Sequence, residues 1–560
     1  MTGPGGTRPL NPFHPPRRPH RPHWPYPPRR PHRPRPRALT ALALAWLCIL
    51  ATLTSCTAHK PEPVTLRVLA SSELADMQPL LDDLRRETGI SLEMEYQGTV
   101  EAAASLASGT YRHDLAWLSS SRPFQLLLKK HGRQTESPLS TSTMRSPVVV
   151  GMKPEVAQRL RRTAPDGQLS WADLADAAAA GTLKYAMADP RTANSGLSAL
   201  VGVATAAAAT GGALRPEDVS CDRLRGFFAG QALAEDSSSG LVDAYARGED
   251  GLDALITYES ELLALNRAGT LRTPLEIVYP KDGIVLSDYP LMLLDPAARD
   301  AYDRLTAWLR SEPVQRKIME STLRRPITPD LARIPSLRAP LGNALYFPDS
   351  QAVVDRLLAD YAGARSGGPA RVLFLLDFST SMRGERIENL RATIDGLSGA
   401  DDSRSGRFAR FHRGETLTVL RFGGRVLDER SVTYTKAADL DRLRGFVAGD
   451  GFATGTALWS ALDRAYRTAA GAVAKDPRQR VSIVLMTDGE SNAGISLDAF
   501  LGRYAALPPA ARAVRTYTVR YGDADPRELG RAARATGGHM VDATEQSLLN
   551  AFKEIRGCHE

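Results

Sequence analysis

The sequence predicts two consecutive α/β domains, the second of which contains a doubly wound parallel sheet. The length of 560 residues indicates two or more domains. Short apolar runs alternate with helix-like patterns in both halves, which is typical of parallel sheets covered by helices. A Ser-Gly-Gly-Pro stretch at 366–369 separates the halves and indicates a linker. A content of 43% hydrophobic and 24% charged residues is ordinary for globular proteins.

The net charge of +8 comes from one end of the chain. Residues 1–37 contain nine arginines, thirteen prolines and no acidic residue. The rest of the chain has 62 basic and 63 acidic residues, so its charge is nearly balanced. A balanced body gives no indication of a nucleic-acid partner.

An uncharged segment after this leader has the features of an export signal. Residues 38–55 carry no charge and end in Leu-Thr-Ser, directly before Cys56. A basic flank, an apolar segment and small residues are typical of a secretory signal. Leu-Thr-Ser-Cys also resembles a bacterial lipobox, which implies that Cys56 is lipidated and becomes the mature N-terminus. An uncleaved membrane helix is the alternative, because 18 residues can just span a bilayer. Either reading places the rest of the chain on the extracytoplasmic side of a bacterial cell membrane.

The other cysteines give weak evidence for a disulfide. Cys48 lies inside the apolar segment, and Cys221 and Cys558 fall in different predicted domains. Two isolated cysteines do not establish a bridge, so their pairing stays open.

The first domain is predicted at residues 62–345, after a leader and signal region at 1–56. Its first elements alternate as strand, helix, strand, helix, strand, and later helices indicate a second lobe. The predicted strands are 66–70, 91–96, 114–118 and 275–279. The predicted helices begin at Ser71-Ser72-Glu73 and at Gly98-Thr99, and further helices cover 154–163, 171–180, 198–208 and 298–320.

Residues 346–369 are interpreted as a linker helix with a Gly/Pro joint, and residues 370–556 as the second domain. Its predicted strands are 371–376, 416–422, 481–486 and 514–520. Its predicted helices are 385–396, 456–470, 497–505, 526–535 and 545–556. In such a sheet, ligand loops are expected at the carboxyl ends of the strands.

Five oxygen-bearing side chains are expected to meet at that edge. Asp377, Ser379 and Ser381 follow the first strand of the second domain, in the pattern Asp-x-Ser-x-Ser. Thr456 stands where a Gly-Thr pair precedes a helix, and Asp488 follows strand 481–486 in Thr-Asp-Gly. Few carboxylates and several hydroxyls suit a hard divalent cation that keeps waters and accepts an outside carboxylate.

These three motifs resemble the metal-ion-dependent adhesion site (MIDAS) of a von Willebrand factor type A domain. The resemblance covers about residues 370–556 and implies that Ser379 and Ser381 bind the cation directly. It implies that Thr456 binds directly or through water, and that Asp377 and Asp488 act through coordinated waters. A partner's Asp or Glu would complete the shell. Mg²⁺ is the expected ion, with Ca²⁺ or Mn²⁺ as alternatives.

Each motif also has an ordinary structural explanation. Asp-x-Ser-x-Ser can be a turn with side-chain caps, and Asp-Gly is a common turn. Thr456 can serve only as a helix N-cap. The occurrence of all three motifs, in this order and at sheet-edge positions, favours a metal site.

The first domain resembles bacterial type II solute-binding proteins, whose two lobes enclose a ligand. The supporting motifs include Ser71-Ser72, Gly98-Thr99, Asn194-Ser195-Gly196 and Tyr258-Glu259. The resemblance implies that an anionic or polar solute is held by helix N-termini and small hydroxyls. The candidate cleft residues are Ser71, Ser72, Thr99, Ser119, Asn194, Ser195 and Tyr258. The alternative is that these residues only cap helices.

The sequence thus favours a membrane-anchored binding protein, not an enzyme, that captures an acidic group on a protein partner. Nucleophile-elbow, phosphate-loop and zinc-protease motifs are absent from the sequence. Two alternatives stay open. The first domain can be the receptor of a transport system with the second as its docking module, or Asp377 and Asp488 can form a hydrolytic metal centre.

Overall fold

A computed structural model describes residues 63–164, 166–208, 212–219, 221–366 and 370–556. The leader, the apolar segment and the lipidation candidate Cys56 are predictions that lie outside the described residues. Cys558 also lies outside them, so the Cys221–Cys558 pairing stays open. None of the helices within the described ranges is both long and apolar enough to cross a membrane.

The first domain consists of two lobes, each built on its own sheet. Its strands are β1 (Val64–Ser71), β2 (Ile90–Gln97), β3 (Leu115–Trp117), β4 (Ser140–Ser142), β5 (Ser146–Met152), β6 (Tyr185–Met187), β7 (Gln231–Leu233), β8 (Ala254–Tyr258), β9 (Glu276–Val278), β10 (Leu286–Ser287) and β11 (Pro290–Leu293). Its helices are α1 (Gln78–Thr88), α2 (Thr99–Ala107), α3 (Arg122–Lys130), α4 (Pro154–Thr163), α5 (Trp171–Ala179), α6 (Asn194–Ala208), α7 (Cys221–Ala229), α8 (Ser238–Gly248), α9 (Glu259–Ala268), α10 (Arg299–Arg310) and α11 (Glu312–Thr322).

The two sheets explain how the chain forms two lobes. The first lobe has the strand order β2-β1-β3-β11-β4, in which β1, β2 and β3 are parallel. The second has the order β10-β5-β8-β6-β7, with β9 paired to β5. The chain leaves the first sheet after β4 and returns to it in β11, so it passes twice between the two sheets. The predicted βαβαβ start is confirmed.

The second domain is one six-stranded sheet with helices on both faces. After α12 (Gln351–Ser366), its elements are β12 (Ala370–Asp377), α13 (Glu385–Asp395), α14 (Arg404–Ala409), β13 (Thr416–Phe422), β14 (Val426–Thr433), α15 (Ala437–Ala448), α16 (Leu458–Lys475), β15 (Arg480–Thr487), α17 (Leu497–Ala505), α18 (Pro509–Arg512), β16 (Arg515–Arg520), α19 (Pro526–Ala535), β17 (Met540–Asp542) and α20 (Leu548–Arg556). The order is β14-β13-β12-β15-β16-β17, and all strands are parallel except β14. The doubly wound fold predicted from the sequence is confirmed.

Burial explains why β12 occupies the centre of this sheet. Phe374, Leu375 and Leu376 are each 0% exposed, and their alternate side chains pack on opposite faces of the sheet. A strand covered by helices on both faces needs a continuous apolar run rather than an alternating one.

One predicted element was wrong, and some elements of the second domain were missed. The single helix expected at 298–320 is two helices, because Ser311 is extended and Pro313 lies in the first turn of α11. The edge strand β14 and the helices α14 and α15 were not predicted. β14 carries Asp428, Glu429, Arg430 and Ser431, so it lacks the apolar run that marks the buried strands.

The predicted linker helix α12 packs into the second lobe. Val353 and Leu357 are 0% exposed and belong to the apolar core of that lobe. Tyr361 makes an edge-to-face contact with Phe228, with ring centres 5.5 Å apart. The helix therefore belongs to the first domain's core, although its sequence position suggested a tether.

The unpredicted helix α14 connects the second domain to the same lobe. Phe408 is 3% exposed and lies in the core of the second lobe. Arg407 forms ion pairs with Asp173, at 2.7 Å, and with Asp176, at 2.5 Å. These contacts join the two domains directly, in addition to the covalent linker.

Replacing Arg407 with alanine is expected to weaken this junction. The substitution leaves Asp173, which is 9% exposed, without its cationic partner. Breaking a fully buried pair costs about 3–5 kcal/mol, and for this partly buried one we expect about 2 kcal/mol. Urea denaturation should show a lower free energy of unfolding, and limited proteolysis should cut faster between the domains. Arg464→Ala is the control, because Arg464 pairs with Glu429 inside the second domain. An equal loss in both variants would contradict a specific role for the junction.

Candidate metal and ligand sites

Four of the five predicted metal-site residues form one hydrogen-bonded cluster. Asp377 ends β12, and its Oδ1 accepts the backbone N–H of Ser379 at 2.7 Å. The hydroxyls of Ser379 and Ser381 lie 2.8 Å apart. Ser381 donates to Asp488 Oδ1 at 2.9 Å, just after the end of β15. The parallel pairing of β12 with β15 therefore brings residues 107 positions apart into contact.

Thr456 lies beside this cluster. Its side chain is 3% exposed, and its hydroxyl lies 4.0 Å from the position that a Cβ on Gly489 would take. Its backbone N–H donates to Asn492 Oδ1 at 2.8 Å. Gly455 has a φ of 82°, which favours glycine before the turn into α16. The Gly-Thr motif thus sets the position of Thr456 through backbone geometry.

The cluster is buried except on one side. Asp377, Ser379 and Asp488 are 0–2% exposed, whereas Ser381 is exposed. Burial raises the pKa of Asp377 to about 6, although hydrogen bonds from Thr487 and Ser379 oppose the shift. Thr487 Oγ1 donates to Asp377 Oδ2 at 2.6 Å. The cluster thus holds buried carboxylates behind one exposed hydroxyl, Ser381, and a cation can approach from that side.

The cationic side chain of Arg386 lies next to the cluster, and no sequence pattern indicated this contact. Arg386 Nη1 donates to Asp488 Oδ2 at 2.5 Å, and its Nη2 reaches Asp523 at 3.2 Å. Arg386 is the second residue of α13, and only the fold places it beside a strand end 102 positions away. Its charge partly neutralises Asp488, so Asp377 and the hydroxyls would contribute more to holding a cation.

The donor set fits a hard divalent ion. All five side chains supply oxygen, and Ser379 and Ser381 are close enough to share one ion. Ser379, Ser381 and Thr456 could act as direct ligands, and the two aspartates could hold bound waters. Two carboxylates and three hydroxyls leave room for waters, which favours Mg²⁺ over Ca²⁺.

Five of the seven predicted cleft residues form a second network, between the lobes. Ser71 and Thr99 share a hydrogen bond, and the Thr99 and Ser119 hydroxyls lie 2.8 Å apart. Tyr258 of the second lobe donates to Ser119 of the first lobe at 2.9 Å. Asn194 donates to Tyr258 at 3.1 Å. The lobes are therefore in direct contact across the cleft.

A cavity of about 720 Å³ adjoins this network. Asn194 and Ser287 line it on one side, and Ser120 and Arg122 line it on the other. Asn194 Oδ1 is buried and has no hydrogen-bond partner within the described part of the chain. Ser287, which accepts from Asn194 at 3.2 Å, was missed because a serine in a two-residue strand carries no motif.

The other two predicted cleft residues lie outside this network. Ser195 shares a 2.6 Å hydrogen bond with Ser238 of the same lobe. Ser72 is 3.4 Å from Glu73 Oε2. Both residues lie next to helix starts, where local hydrogen bonds compete for a hydroxyl.

Buried charges beside the cleft were also missed. Glu259 and Arg325 form a buried two-bond ion pair, with both distances at 2.7 Å. Glu73 is 6% exposed, and burial raises its pKa to about 7. Arg324 donates to the Glu73 backbone carbonyl at 2.8 Å and stacks over Tyr289 at 5.0 Å. Partners that lie 66 or 251 positions apart give no local sequence signal.

Comparison with known proteins gives the class of each domain. Residues 66–321 match the family described as "Bacterial extracellular solute-binding protein". Residues 372–554 match the family described as "von Willebrand factor type A domain". No curated protein matches the chain.

Three of the solved structures that resemble this chain each cover about half of it. The periplasmic binding protein AfuA from Actinobacillus pleuropneumoniae, with exogenous fructose-6-phosphate bound, is 15% identical with a TM-score of 0.42, over 53% of this chain and 97% of that one. Iron-bound HitA from Pseudomonas aeruginosa is 17% identical with a TM-score of 0.41, over 54% of this chain and 99% of that one. The sulfate-binding protein SubI from Mycobacterium tuberculosis H37Rv is 16% identical with a TM-score of 0.35, over 53% and 96%. At these scores the similarities support no conclusion about ligands.

The fold and the two family matches thus define a two-domain binding protein of the α/β class. This chain carries a bacterial extracellular solute-binding domain followed by a von Willebrand factor type A domain, hereafter the A domain.

Proposed function

We propose that this protein is an extracytoplasmic, non-enzymatic binding protein whose A domain captures an acidic group on a protein partner through Mg²⁺. The observation that carries the proposal is the cluster of Asp377, Ser379, Ser381 and Asp488, with Thr456 beside it. An oxygen shell rich in hydroxyls leaves a divalent ion short of negative charge, so a carboxylate from outside is an attractive further ligand. Ser381 lies at the exposed side, where a partner could reach the ion.

Anchoring belongs to the same proposal. A lipid on Cys56 would hold the protein at the outer face of the cell membrane, and the A domain would meet partners there. The junction between α14 and the second lobe supports this arrangement, because it presents the A domain in a defined orientation.

Affinity capture tests the proposed function. The full mature chain is immobilised and exposed to a cell-surface extract in Mg²⁺ or in EDTA, and bound proteins are identified by mass spectrometry. We expect partners that EDTA releases and that Asp377→Ala fails to retain. Asp428→Ala is the matched control, because Asp428 is an A-domain carboxylate paired with Arg421 on the sheet. Partners that neither EDTA nor Asp377→Ala affects would contradict the proposal.

A second candidate function is that of a solute receptor in a transport system, with the A domain as docking module. The cavity of about 720 Å³ and the unpartnered Asn194 Oδ1 favour it. A buried acceptor without a donor is costly, and a small polar or anionic solute with a hydroxyl or amine could satisfy it. Native mass spectrometry of the purified protein should then detect a bound small molecule that Asn194→Ala loses. A ligand-free spectrum for protein purified from its own host would count against this role.

A further inference from the structure

A cavity of about 430 Å³ lies at the opposite edge of the A-domain sheet from the metal candidate. Ala370, Arg480 and Arg515 are the first residues of β12, β15 and β16, and all three line the cavity. Asp377 and Thr487 are the last residues of β12 and β15. Because these strands are parallel, the cavity and the metal candidate occupy different edges of one sheet.

The cavity has an apolar wall and a cationic lining. Its larger aliphatic side chains are Val372, Val473, Val481, Val484, Val514 and Ile555. Four arginines, Arg225, Arg480, Arg515 and Arg556, line the same space. No acidic side chain lines it among the described residues. Arg225 lies in the solute-binding domain, Arg480 and Arg515 lie in the A domain, and Arg556 ends α20, the last helix of that domain. The cavity therefore lies at the junction between the domains.

Arg556 is the buried part of this lining. The residue is 3% exposed. Its Nε and Nη2 donate to the backbone carbonyls of Ala409 and Arg410, and Nη2 also contacts Glu415 at 3.2 Å. Its Nη1 has no hydrogen-bond partner within the described part of the chain. Arg480 Nε is also buried and unpartnered there.

Unsatisfied guanidinium donors in an apolar cavity are costly, and an anionic oxygen is the acceptor that relieves them best. Glu415 does not line the cavity, but it pairs with Arg556. It compensates one positive charge and leaves Arg480 and Arg515 for another anion. A volume of about 430 Å³ is within the usual range for small-molecule sites.

We propose that this cavity binds an anionic amphiphile, whose carboxylate or phosphate head contacts the arginines while its alkyl chain packs on the valines. Arg480 and Arg556 hold the head, and Arg515 at the exposed rim attracts it. Because Arg225 also lines the site, the ligand contacts both domains and strengthens their junction. This site is independent of the proposed Mg²⁺ site and of the cleft.

Calorimetric titration of the full mature chain tests the site. The probes are decanoate and decyl phosphate, with 1-decanol and inorganic phosphate as partial ligands that lack the charge or the chain. We expect both amphiphiles to bind at least ten-fold more tightly than either partial ligand. Equal binding of decanol, or of inorganic phosphate, would overturn the proposal.

Variants locate the binding. Arg480→Gln combined with Arg515→Gln should weaken decanoate binding at least ten-fold, and Ala513→Trp should block it by filling the mouth. Arg464→Gln, a change on the exposed face of α16, should leave it unchanged. These positions avoid the buried Arg556–Glu415 pair, so folding is expected to survive, and circular dichroism checks it. Unaltered decanoate binding in the double arginine variant would refute the assignment.

A vesicle experiment distinguishes two sources of the anionic head group, a membrane lipid and a soluble acid. Flotation with phosphatidylglycerol vesicles that depends on Arg480 and Arg515 would identify a membrane lipid as the source. Decanoate binding without flotation would identify a soluble acid. Either result supports an anionic head group that is bound by the arginines. The proposal would be refuted if decanoate did not bind and if vesicle flotation were the same with and without the two arginines.

Discussion

Replacing Asp377 with asparagine is expected to lower the affinity of the protein for Mg²⁺ by about 10–100-fold. Asp377 is buried, and its two oxygens accept from the Ser379 backbone and from Thr487. Asparagine removes the negative charge and one acceptor oxygen but keeps the shape. Isothermal titration of the full chain with MgCl₂ measures the change, and circular dichroism confirms that the variant folds.

Arg386→Gln is the matched variant, and it is expected to change the Mg²⁺ affinity in the opposite direction. Arg386 Nη1 lies 2.5 Å from Asp488 Oδ2, so its charge opposes a cation at the cluster. Glutamine can keep a hydrogen bond to Asp488 without the charge, and Mg²⁺ affinity should rise. If the Mg²⁺ affinity of Asp377→Asn equalled that of the parent, the ion would bind at another place in the protein. If neither protein bound Mg²⁺, the proposed metal site would be wrong. If Arg386→Gln lowered the affinity instead, the arginine would be a positioning residue for Asp488.

Glu73→Gln is expected to reduce the pH dependence of folding stability. Glu73 is 6% exposed, and its Oε1 has no hydrogen-bond partner among the described residues. Burial raises its pKa from 4.5 to about 7, and the attraction of Arg324 only partly offsets that rise. The folded protein therefore keeps this proton to a higher pH than the unfolded chain.

The direction of the pH dependence follows from this difference in the pKa of Glu73 between the folded and unfolded chain. The stability contributed by protonated Glu73 is fully present below about pH 4.5 and is lost as the pH rises through about 7. The loss corresponds to about 3 kcal/mol. Glutamine stays neutral, so urea denaturation should show a smaller fall in the free energy of unfolding between pH 5 and pH 8. The variant should also be more stable than the parent at pH 8.

Two further variants check this assignment. Glu261 contributes to the same trend, because burial and the nearby Glu73 raise its pKa to about 8. Glu73→Gln with Glu261→Gln should therefore flatten the profile further. Glu101→Gln, on an exposed position of α2, should leave it unchanged. The deciding quantity is the difference in the free energy of unfolding between the parent and Glu73→Gln, because other titrating groups cancel in it. A difference that does not change between pH 5 and pH 8 would contradict the prediction.

Local pattern was enough for the elements that carry the candidate sites. The apolar run of β12, the Thr-Asp-Gly end of β15 and the Gly-Thr before α16 each determine a strand end or a helix start within a few residues. Parallel pairing then requires the two strand ends to meet. The same reasoning brought Ser71, Thr99 and Ser119 to one place in the cleft.

Local sequence patterns did not predict features that depend on contacts between residues far apart in the chain. α14 has six residues, too few for a helical period, and its Phe408 is buried only because the second lobe receives it. The edge strand β14 is polar because one edge of a sheet meets water. Ser195, chosen by its motif, bonds to Ser238 instead of joining the cleft network.

The sequence by itself determined the two α/β domains, the strand ends and the residue types of a hydroxyl-rich cation site. These features depend on short-range periodicity and on the shared direction of parallel strands, which are readable along the chain. Only the tertiary structure decided that Arg386 neutralises Asp488, that α14 joins the domains, and that four arginines from both domains line one cavity. Charge compensation and burial act between residues far apart in sequence, so they follow from packing rather than from local pattern.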